Sequence, residues 1–102
     1  MDVWNVTLTG NYDDGTSKPV TDGDGFTVVA TNGTWDKTNA QLTDDSSKSA
    51  SLAFDGPNGE DFGTASPYNA ANLTSVTAAF TLVPPPSAPN APNTRVAQLR
   101  NR

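Results

Sequence analysis

Two groups of acidic residues have the spacing closest to that of a chemical site. In the first, Asp22 and Asp24 alternate with glycines over residues 22–25, which resembles part of a calcium-binding loop. An EF-hand loop has a glutamate at its twelfth position, where this chain has Gly33, so the EF-hand interpretation fails. A different calcium site, formed by Asp22, Asp24 and a distant carboxylate such as Asp61, stays open beside the simpler interpretation of a polar turn.

Two pairs of adjacent carboxylates form the second group, Asp13 with Asp14 and Asp44 with Asp45. A glycosidase needs its carboxyl pair in a cleft, where the pKa of one carboxyl is raised. Both pairs stand among turn-forming residues, and nothing in the surrounding sequence builds a cleft. We therefore predict that all four side chains are solvated on the surface.

The residue types that the chain lacks exclude most catalytic chemistry. There is no histidine and no cysteine, which removes the commonest general base, the Ser-His-Asp triad and any thiolate nucleophile or metal ligand. The sequence also contains no Ser-x-x-Lys motif and no glycine-rich phosphate loop between a strand and a helix. We expect a non-enzymatic protein with no catalytic residues and no cofactor, with calcium as the one ion left open.

Charge divides the chain into two parts. Residues 1–83 contain all 11 acidic residues and three lysines, a net charge of −8, whereas residues 84–102 contain three arginines and no acidic residue. Such asymmetry is typical of an acidic body with a basic interaction arm. Because the negative body would repel nucleic acid, we expect protein partners and no nucleic acid. No apolar stretch is long enough to span a membrane, so we expect no membrane partner.

The elements that position these residues are strands. Residues 73–83 alternate between two faces, one of which carries mostly apolar side chains, and this is the pattern of a half-buried strand. Turn-forming residues recur about every 8–12 residues, which is typical of a sandwich or a barrel. We predict an all-β fold, a small antiparallel β-sandwich or barrel of about six to eight strands. The predicted core is Trp4, Val6, Leu8, Phe26, Val28, Trp35, Leu52, Phe54, Phe62, Val76, Phe80 and Leu82.

Local signals refine this outline. Asn32 and Gly33 separate two strand-like runs, and Asn-Gly in that position predicts a type I′ hairpin between residues 26–31 and 34–36. Residues 18–20 contain a proline and are predicted to form a short edge strand. We predict irregular structure over 62–68.

Three consecutive prolines follow Val83 and end the last strand, because proline has no amide hydrogen and favours polyproline II. We therefore predict two parts, a β-sandwich domain over residues 1–83 and an extended, proline-rich, basic C-terminal arm over residues 84–102. Val96 and Leu99 lie between arginines near the end of the arm, an arrangement that suits a short segment ordered by a partner. The predicted partner-binding residues are Pro84, Pro85, Pro86, Arg95, Val96, Leu99 and Arg100.

Two resemblances bear on function. Residues 51–56, with the sequence SLAFDG, resemble the Leu-x-Phe-Asp-Gly opening of laminin-G and concanavalin-like sandwiches, which implies glycan or protein binding, sometimes with calcium. The whole chain is free of cysteine and rich in threonine, asparagine and glycine. In this it resembles the accessory structural proteins of tailed-bacteriophage virions: decoration, cement, fibre and tail-associated proteins. That resemblance implies arms that clamp neighbouring subunits, and homo-oligomers.

The first hypothesis is a non-enzymatic structural protein of a large assembly, a phage virion decoration, cement or fibre-type protein that its C-terminal arm tethers to other subunits. Residues 1–4 lack the basic and apolar regions of a signal peptide, so we expect synthesis in a host cytoplasm and a place in the virion. The alternative is an extracellular carbohydrate- or protein-binding β-sandwich module, for which calcium dependence stays open.

Overall fold

The structure is a computed structural model that describes residues 1–69 and 74–84. Over these residues the fold is all-β, with eight strands and no helix. The strands are β1 (Val3–Asn11), β2 (Ser17–Val20), β3 (Thr27–Thr31), β4 (Gly33–Asp36), β5 (Gln41–Asp44), β6 (Ser51–Asp55), β7 (Asp61–Ala65) and β8 (Val76–Val83). They form two antiparallel sheets that share one core, which confirms the predicted small antiparallel β-sandwich.

The larger sheet is built around β1. β8 runs along one edge of β1, from the pair Val3–Val83 to the pair Gly10–Val76. The other edge of β1 is shared, because β5 pairs with its first part and β2 with its last part. β4 then pairs with β5. β8 is therefore an outer strand, and no described strand lies beyond it.

The smaller sheet has the order β3–β6–β7. Its central strand, β6, contributes Leu52 and Phe54, whose side chains are completely buried. Phe26, just before β3, meets Phe54 edge to face with ring centroids 6.0 Å apart, a favourable geometry for two aromatic rings. Val6 and Leu8 of β1 complete this centre from the larger sheet.

The alternation of apolar residues identified most of the core. The buried residues that the sequence predicted are Val6, Leu8, Phe26, Val28, Leu52, Phe54 and Val76. Four more are only partly buried but pack against that core, namely Trp4, Trp35, Phe62 and Phe80. Leu82 was predicted wrongly, since 46% of its surface is exposed at the outer strand of the sheet. The predicted core also lacked Val20, Leu42 and Ala65, which are buried.

The predicted hairpin at Asn32–Gly33 is wrong. β3 pairs with β6 in the smaller sheet and β4 pairs with β5 in the larger one, so the chain passes from one sheet to the other at this point. Asn32 makes the corner with a φ of 56°. A Cβ at Gly33 would lie 2.5 Å from the carbonyl oxygen of Thr43. Glycine is therefore required here for close backbone approach and not for a positive φ.

The hairpin of this region joins β4 to β5 through residues 37–40. The carboxylate of Asp36 accepts hydrogen bonds from the backbone N–H of Asn39 at 3.1 Å and from its side-chain amide at 2.9 Å. Ala40 takes the left-handed conformation, with a φ of 51°. Its carbonyl oxygen accepts the N–H of Val6 at 2.9 Å, so the turn also extends the contact between β5 and β1.

Two other local predictions have mixed outcomes. The edge strand predicted at 18–20 is confirmed as β2, where Pro19 lies opposite Thr9. The irregular structure predicted for 62–68 is wrong for the part that forms β7. Its apolar alternation is hidden because Gly63, with a φ of 111°, occupies the strand and the pairing with β6 shifts register between Ala53 and Asp55.

Candidate functional site

The outer edge of β8 is the candidate site, and its backbone directions follow from the ladder. The N–H of Val6 donates to Ala40 on the β5 side, and the N–H of Asn11 donates to Ser75 on the β8 side. Backbone groups alternate in direction along a strand. Even-numbered residues of β1 therefore bond toward β5 and β2, and odd-numbered residues bond toward β8. Since each β1 residue lies opposite the β8 residue of the same parity, the even-numbered residues of β8 direct their N–H and C=O groups outward.

These outward groups have no strand to bond among the residues that the structure describes. The carbonyl oxygen of Val76 accepts the side-chain hydroxyl of Thr74. The N–H and C=O groups of Ala78, Phe80 and Leu82 have no protein partner within residues 1–69 and 74–84. They form a row of donors and acceptors like the one that a further strand would bond.

The side chains of β8 do not protect this edge. From Ser75 to Val83 the chain has no charged residue and no proline, and the β1–β8 register is unbroken over its eight pairs. Leu82 is about half exposed and Phe80 is partly exposed. Long, flat, uncharged edge strands pair readily with other chains, and natural proteins usually block them.

Each of the other described outer strands has a feature that hinders pairing with a further strand: a charge, a proline, a side-chain hydrogen bond to its backbone, or short length. β2 contains Lys18 and Pro19. In β3 the N–H of Val28 donates to the carboxylate of Asp22 at 3.1 Å. β4 and β7 are only four and five residues long and carry Asp36 and Asp61 respectively. β8 alone among the described outer strands combines eight residues with no charge, proline or bulge.

Asp22 and Asp24, for which a calcium site and a polar turn both stayed open, accept hydrogen bonds from nearby protein groups. Asp22 also accepts the indole N–H of Trp35 at 2.9 Å. Asp24 accepts the backbone N–H and the hydroxyl of Thr21 at 2.9 and 3.1 Å, bonds that lower the pKa of its carboxyl. Asp61 accepts the N–H of Gly63 at 2.8 Å. Among the described residues no three carboxylates come close enough together to hold a metal ion.

Asp44 was predicted to be a solvated turn residue, and this is wrong. Only 1% of its surface is exposed. Its carboxylate accepts the hydroxyl of Tyr68 and the backbone N–H groups of Ser46 and Lys48, and Tyr68 in turn stands edge-on against Trp4 with centroids 5.8 Å apart. The hydroxyl of Tyr68 is the main cause that lowers the pKa of Asp44, and the same bond raises the pKa of Tyr68. The hydrogen bond between Asp44 and Tyr68 therefore holds the 44–48 turn against the core.

The remaining carboxylates of the two pairs act in turns. Asp14 accepts the N–H and the hydroxyl of Thr16 at 2.9 and 2.6 Å, which lowers the pKa of its carboxyl. Asp45 accepts the N–H of Ser47 at 2.9 Å and is exposed. Neither pair forms a shared carboxyl site, because Asp14 and Asp45 bond the backbone of their own turns and Asp44 is buried against Tyr68.

A cavity of about 300 Å³ lies at the end of the sandwich where β1 meets the start of β8. Phe26, Phe62, Asn11, Tyr12 and Asp13 are among the residues that line it. Tyr12 is 45% exposed, and the ammonium group of Lys18 lies 5.5 Å from the centre of its ring. No local sequence pattern indicates this site, because its residues come from five separate segments of the chain.

Of the predicted partner-binding residues, Pro84 is described and exposed, and it follows β8 directly. Pro85, Pro86, Arg95, Val96, Leu99 and Arg100 lie outside the described residues. The described residues also contain no helix of the length and hydropathy needed to cross a membrane.

No protein-family model matches this chain, and neither a curated protein nor a solved structure matches it.

Proposed function

We propose that the chain is a non-enzymatic structural protein of a large assembly, which docks onto other subunits through the β8 edge and the C-terminal arm that follows it. The observation that carries this proposal is that β8, alone among the described outer strands, has no feature that hinders pairing with a further strand, and that it ends at Val83 directly before Pro84. A strand edge with unbonded amide groups is a surface for main-chain docking and provides no chemistry of its own.

The sequence of the arm supports a tethering role. Val96 and Leu99 would each contribute about 1.5–3 kcal/mol if a partner buried them, before the cost of ordering the arm. Arg95 and Arg100 could form charge-assisted hydrogen bonds to acidic groups on that partner. The body of this same protein, with a net charge of −8 over residues 1–83, is an example of such a surface.

The kind of assembly is proposed from the character of the chain. A cysteine-free β-body rich in threonine, asparagine and glycine, with a basic arm, resembles the decoration, cement and fibre-type proteins of tailed-bacteriophage virions. We therefore propose a place on a virion, with other virion subunits as partners.

The test places a photo-reactive amino acid at Val96 in the full chain and identifies what it cross-links in the native particle. The expected product joins residue 96 to another structural subunit. A matched probe at the exposed residue Asp45, on the 44–48 turn, should give far less product. Equal cross-linking from both positions, or none from Val96, would reject the tether.

Removal of the arm provides a second test. A chain that ends at Pro84 should keep its β-sheet circular dichroism spectrum and most of its melting temperature, because the buried core found among the described residues precedes it, yet it should fail to join the assembly. Arg95→Ala with Arg100→Ala should weaken docking, and the loss should be greater at low salt than at high salt. Normal assembly of the shortened chain contradicts the tether, and its unfolding would place the arm in the core.

The cavity beside Tyr12 supports a second candidate function, an extracellular module that binds carbohydrate or protein. An exposed aromatic ring next to an amide and two carboxylates, Asn11, Asp13 and Asp24, could stack on a sugar ring and bond its hydroxyls. A glycan array probed with the full chain and with Tyr12→Ala tests this. Binding to a glycan that Tyr12→Ala abolishes would favour this candidate, whereas absence of binding to any glycan leaves the structural role.

A further inference from the structure

We propose that the β8 edge accepts the C-terminal segment Asn93–Arg102 of a second copy of this chain, which adds to the larger sheet as a sixth strand. This inference rests on the proposed function, because it names the surface that the arm would bind and the chain that supplies the arm. Four observations carry it: the acceptor edge, the length of the donor, its charge, and the reach of the residues between.

The acceptor is defined by β8 itself. Its eight residues extend over about 26 Å at the rise of an antiparallel strand. The outward N–H and C=O groups of Ala78, Phe80 and Leu82 have no partner among the described residues. A strand that bonded these residues would satisfy all six groups at once.

The donor must offer consecutive amide hydrogens, and this requirement selects one part of the arm. Prolines occupy positions 84, 85, 86, 89 and 92, so residues 84–92 cannot form a regular ladder. The next ten residues, Asn93 to Arg102, contain no proline. Their number is enough to pair with all eight residues of β8.

Charge favours this pairing. The segment carries three arginines and no acidic residue, whereas the body carries a net charge of −8. Attraction between the two parts would speed their encounter and would weaken as salt is added. Two bodies that met only through their own surfaces would repel each other, so a direct β8-to-β8 contact is the less favoured use of this edge.

The prolines direct the segment toward another molecule. Nine residues, 84–92, separate β8 from the donor segment, and in the extended polyproline II conformation they would span about 28 Å. This distance begins at Val83, at the end of the acceptor strand itself. A stiff spacer of that length would hold the donor segment away from the edge of its own chain, so pairing with a neighbour would be favoured over folding back.

In such an assembly each copy gives an arm and receives one. Reciprocal exchange between two copies closes as a dimer, whereas one-way exchange closes into larger rings or continues as a filament. Two full-length variants separate the two halves of the contact. Ala78→Pro removes one outward amide hydrogen from the acceptor, and Ala97→Pro with Gln98→Pro removes amide hydrogens from the donor while all three arginines stay.

Sedimentation velocity over a wide concentration range is the measurement. The unaltered chain should form a dimer or larger species, and each variant alone should be a monomer, with self-association weakened by about a hundredfold or more. An equimolar mixture of the two variants should form a one-to-one dimer, because one molecule keeps its edge and the other keeps its arm. The control Ala78→Ser, which keeps the amide hydrogen, should behave like the unaltered chain.

Three results would overturn the proposal. An unaltered chain that stays monomeric at all concentrations excludes arm exchange between copies. Self-association that survives in the donor variant indicates pairing of β8 with β8. Two monomeric variants that do not combine exclude a shared contact.

If Ala78→Pro lost its β-sheet circular dichroism spectrum, Leu82→Pro at the exposed end of β8 would replace it. A monomeric chain whose Val96 still cross-links to a different virion subunit would reject this inference and leave the proposed function standing.

Discussion

Leu42 and Leu82 lie on either side of Trp4 in the same sheet, yet they differ completely in burial. Leu42 on β5 and Leu82 on β8 are each paired directly with Trp4 of β1. Leu42 is 0% exposed, whereas Leu82 is 46% exposed. The difference is due to the next strand of the sheet. β5 has β4 as its second neighbour, where Trp35 pairs with Leu42, whereas β8 has no second neighbour among the described strands.

This comparison shows that the apolar alternation of a strand predicts the face on which a residue lies, but not how deeply it is buried. Depth depends on whether the strand has a second neighbour. A leucine on an outer strand therefore has the sequence pattern of the core and the surroundings of a surface.

The largest expected difference comes from shortening the two leucines. Leu42→Ala should lower the free energy of unfolding by about 2–5 kcal/mol, because it leaves a cavity between two packed strands. Leu82→Ala should cost about 1 kcal/mol or less, because half of its surface is already in water. Urea denaturation of the full chain measures both, and equal losses would mean that something covers β8 in solution.

Proline substitutions at two neighbouring residues of β8 should give the next largest difference. Ala79→Pro removes an amide hydrogen that faces Thr7 of β1 and should cost about 2–3 kcal/mol. Ala78→Pro removes one that faces outward and should cost about 1 kcal/mol or less. Thermal unfolding of the two variants checks this, and a reversed order would show that the assigned bonding direction of β8 is wrong.

Tyr68→Phe tests the buried end of the same sheet, where Tyr68 contacts Trp4. Loss of its hydroxyl leaves Asp44 with only backbone donors and should cost about 1–3 kcal/mol near neutral pH. The pKa of Asp44 is lowered in the fold, so the bond stabilises the protein above the ordinary value of 3.8 and this contribution is lost as the pH falls through the lowered pKa. The gap in melting temperature between variant and unaltered chain should therefore narrow below pH 3.8. A gap that stays constant down to pH 2 would mean that Asp44 does not titrate in this way.

The smallest effect is expected from a calcium chelator. The carboxylate of Asp22 accepts hydrogen bonds from the N–H of Val28 on β3 and from the indole N–H of Trp35 on β4. These bonds need no cation. The melting temperature should be unchanged in excess chelator, measured against added calcium as the control. A fall of many degrees that calcium restores would favour the calcium-dependent binding module.

Sequence patterns predicted the strands wherever apolar residues alternate without interruption, as in β1, β6 and β8. They failed where pairing partners are distant along the chain. Asn32–Gly33 has the residue types of a hairpin turn, but β3 and β4 belong to different sheets. β3 pairs with β6 and β4 with β5, and both partners lie later in the sequence. Local propensity does not predict which of these pairings is the more stable.

The polar sites show the same limit. Asp44 was predicted to be solvated because its neighbours are turn formers, and its burial depends on Tyr68, which lies 24 residues away. One property of the β8 edge could be predicted from the sequence, because residues 75–83 contain no charged residue and no proline. That this run lies at the outside of the sheet follows only from the pairing of β8 with β1 and with no other described strand.

That pairing has a consequence for synthesis of the protein. β1 leaves the ribosome before the other seven described strands and is the central strand of the larger sheet, yet its partner β8 is completed about 80 residues later. At the usual speed of translation, about 5–20 residues per second, β1 waits roughly 4–16 s for that partner. The larger sheet is therefore the last part of the body to be completed. Until then, the edge of β1 that will pair with β8 is exposed on the nascent chain, and a chaperone or a neighbouring nascent chain has its best opportunity to bind there.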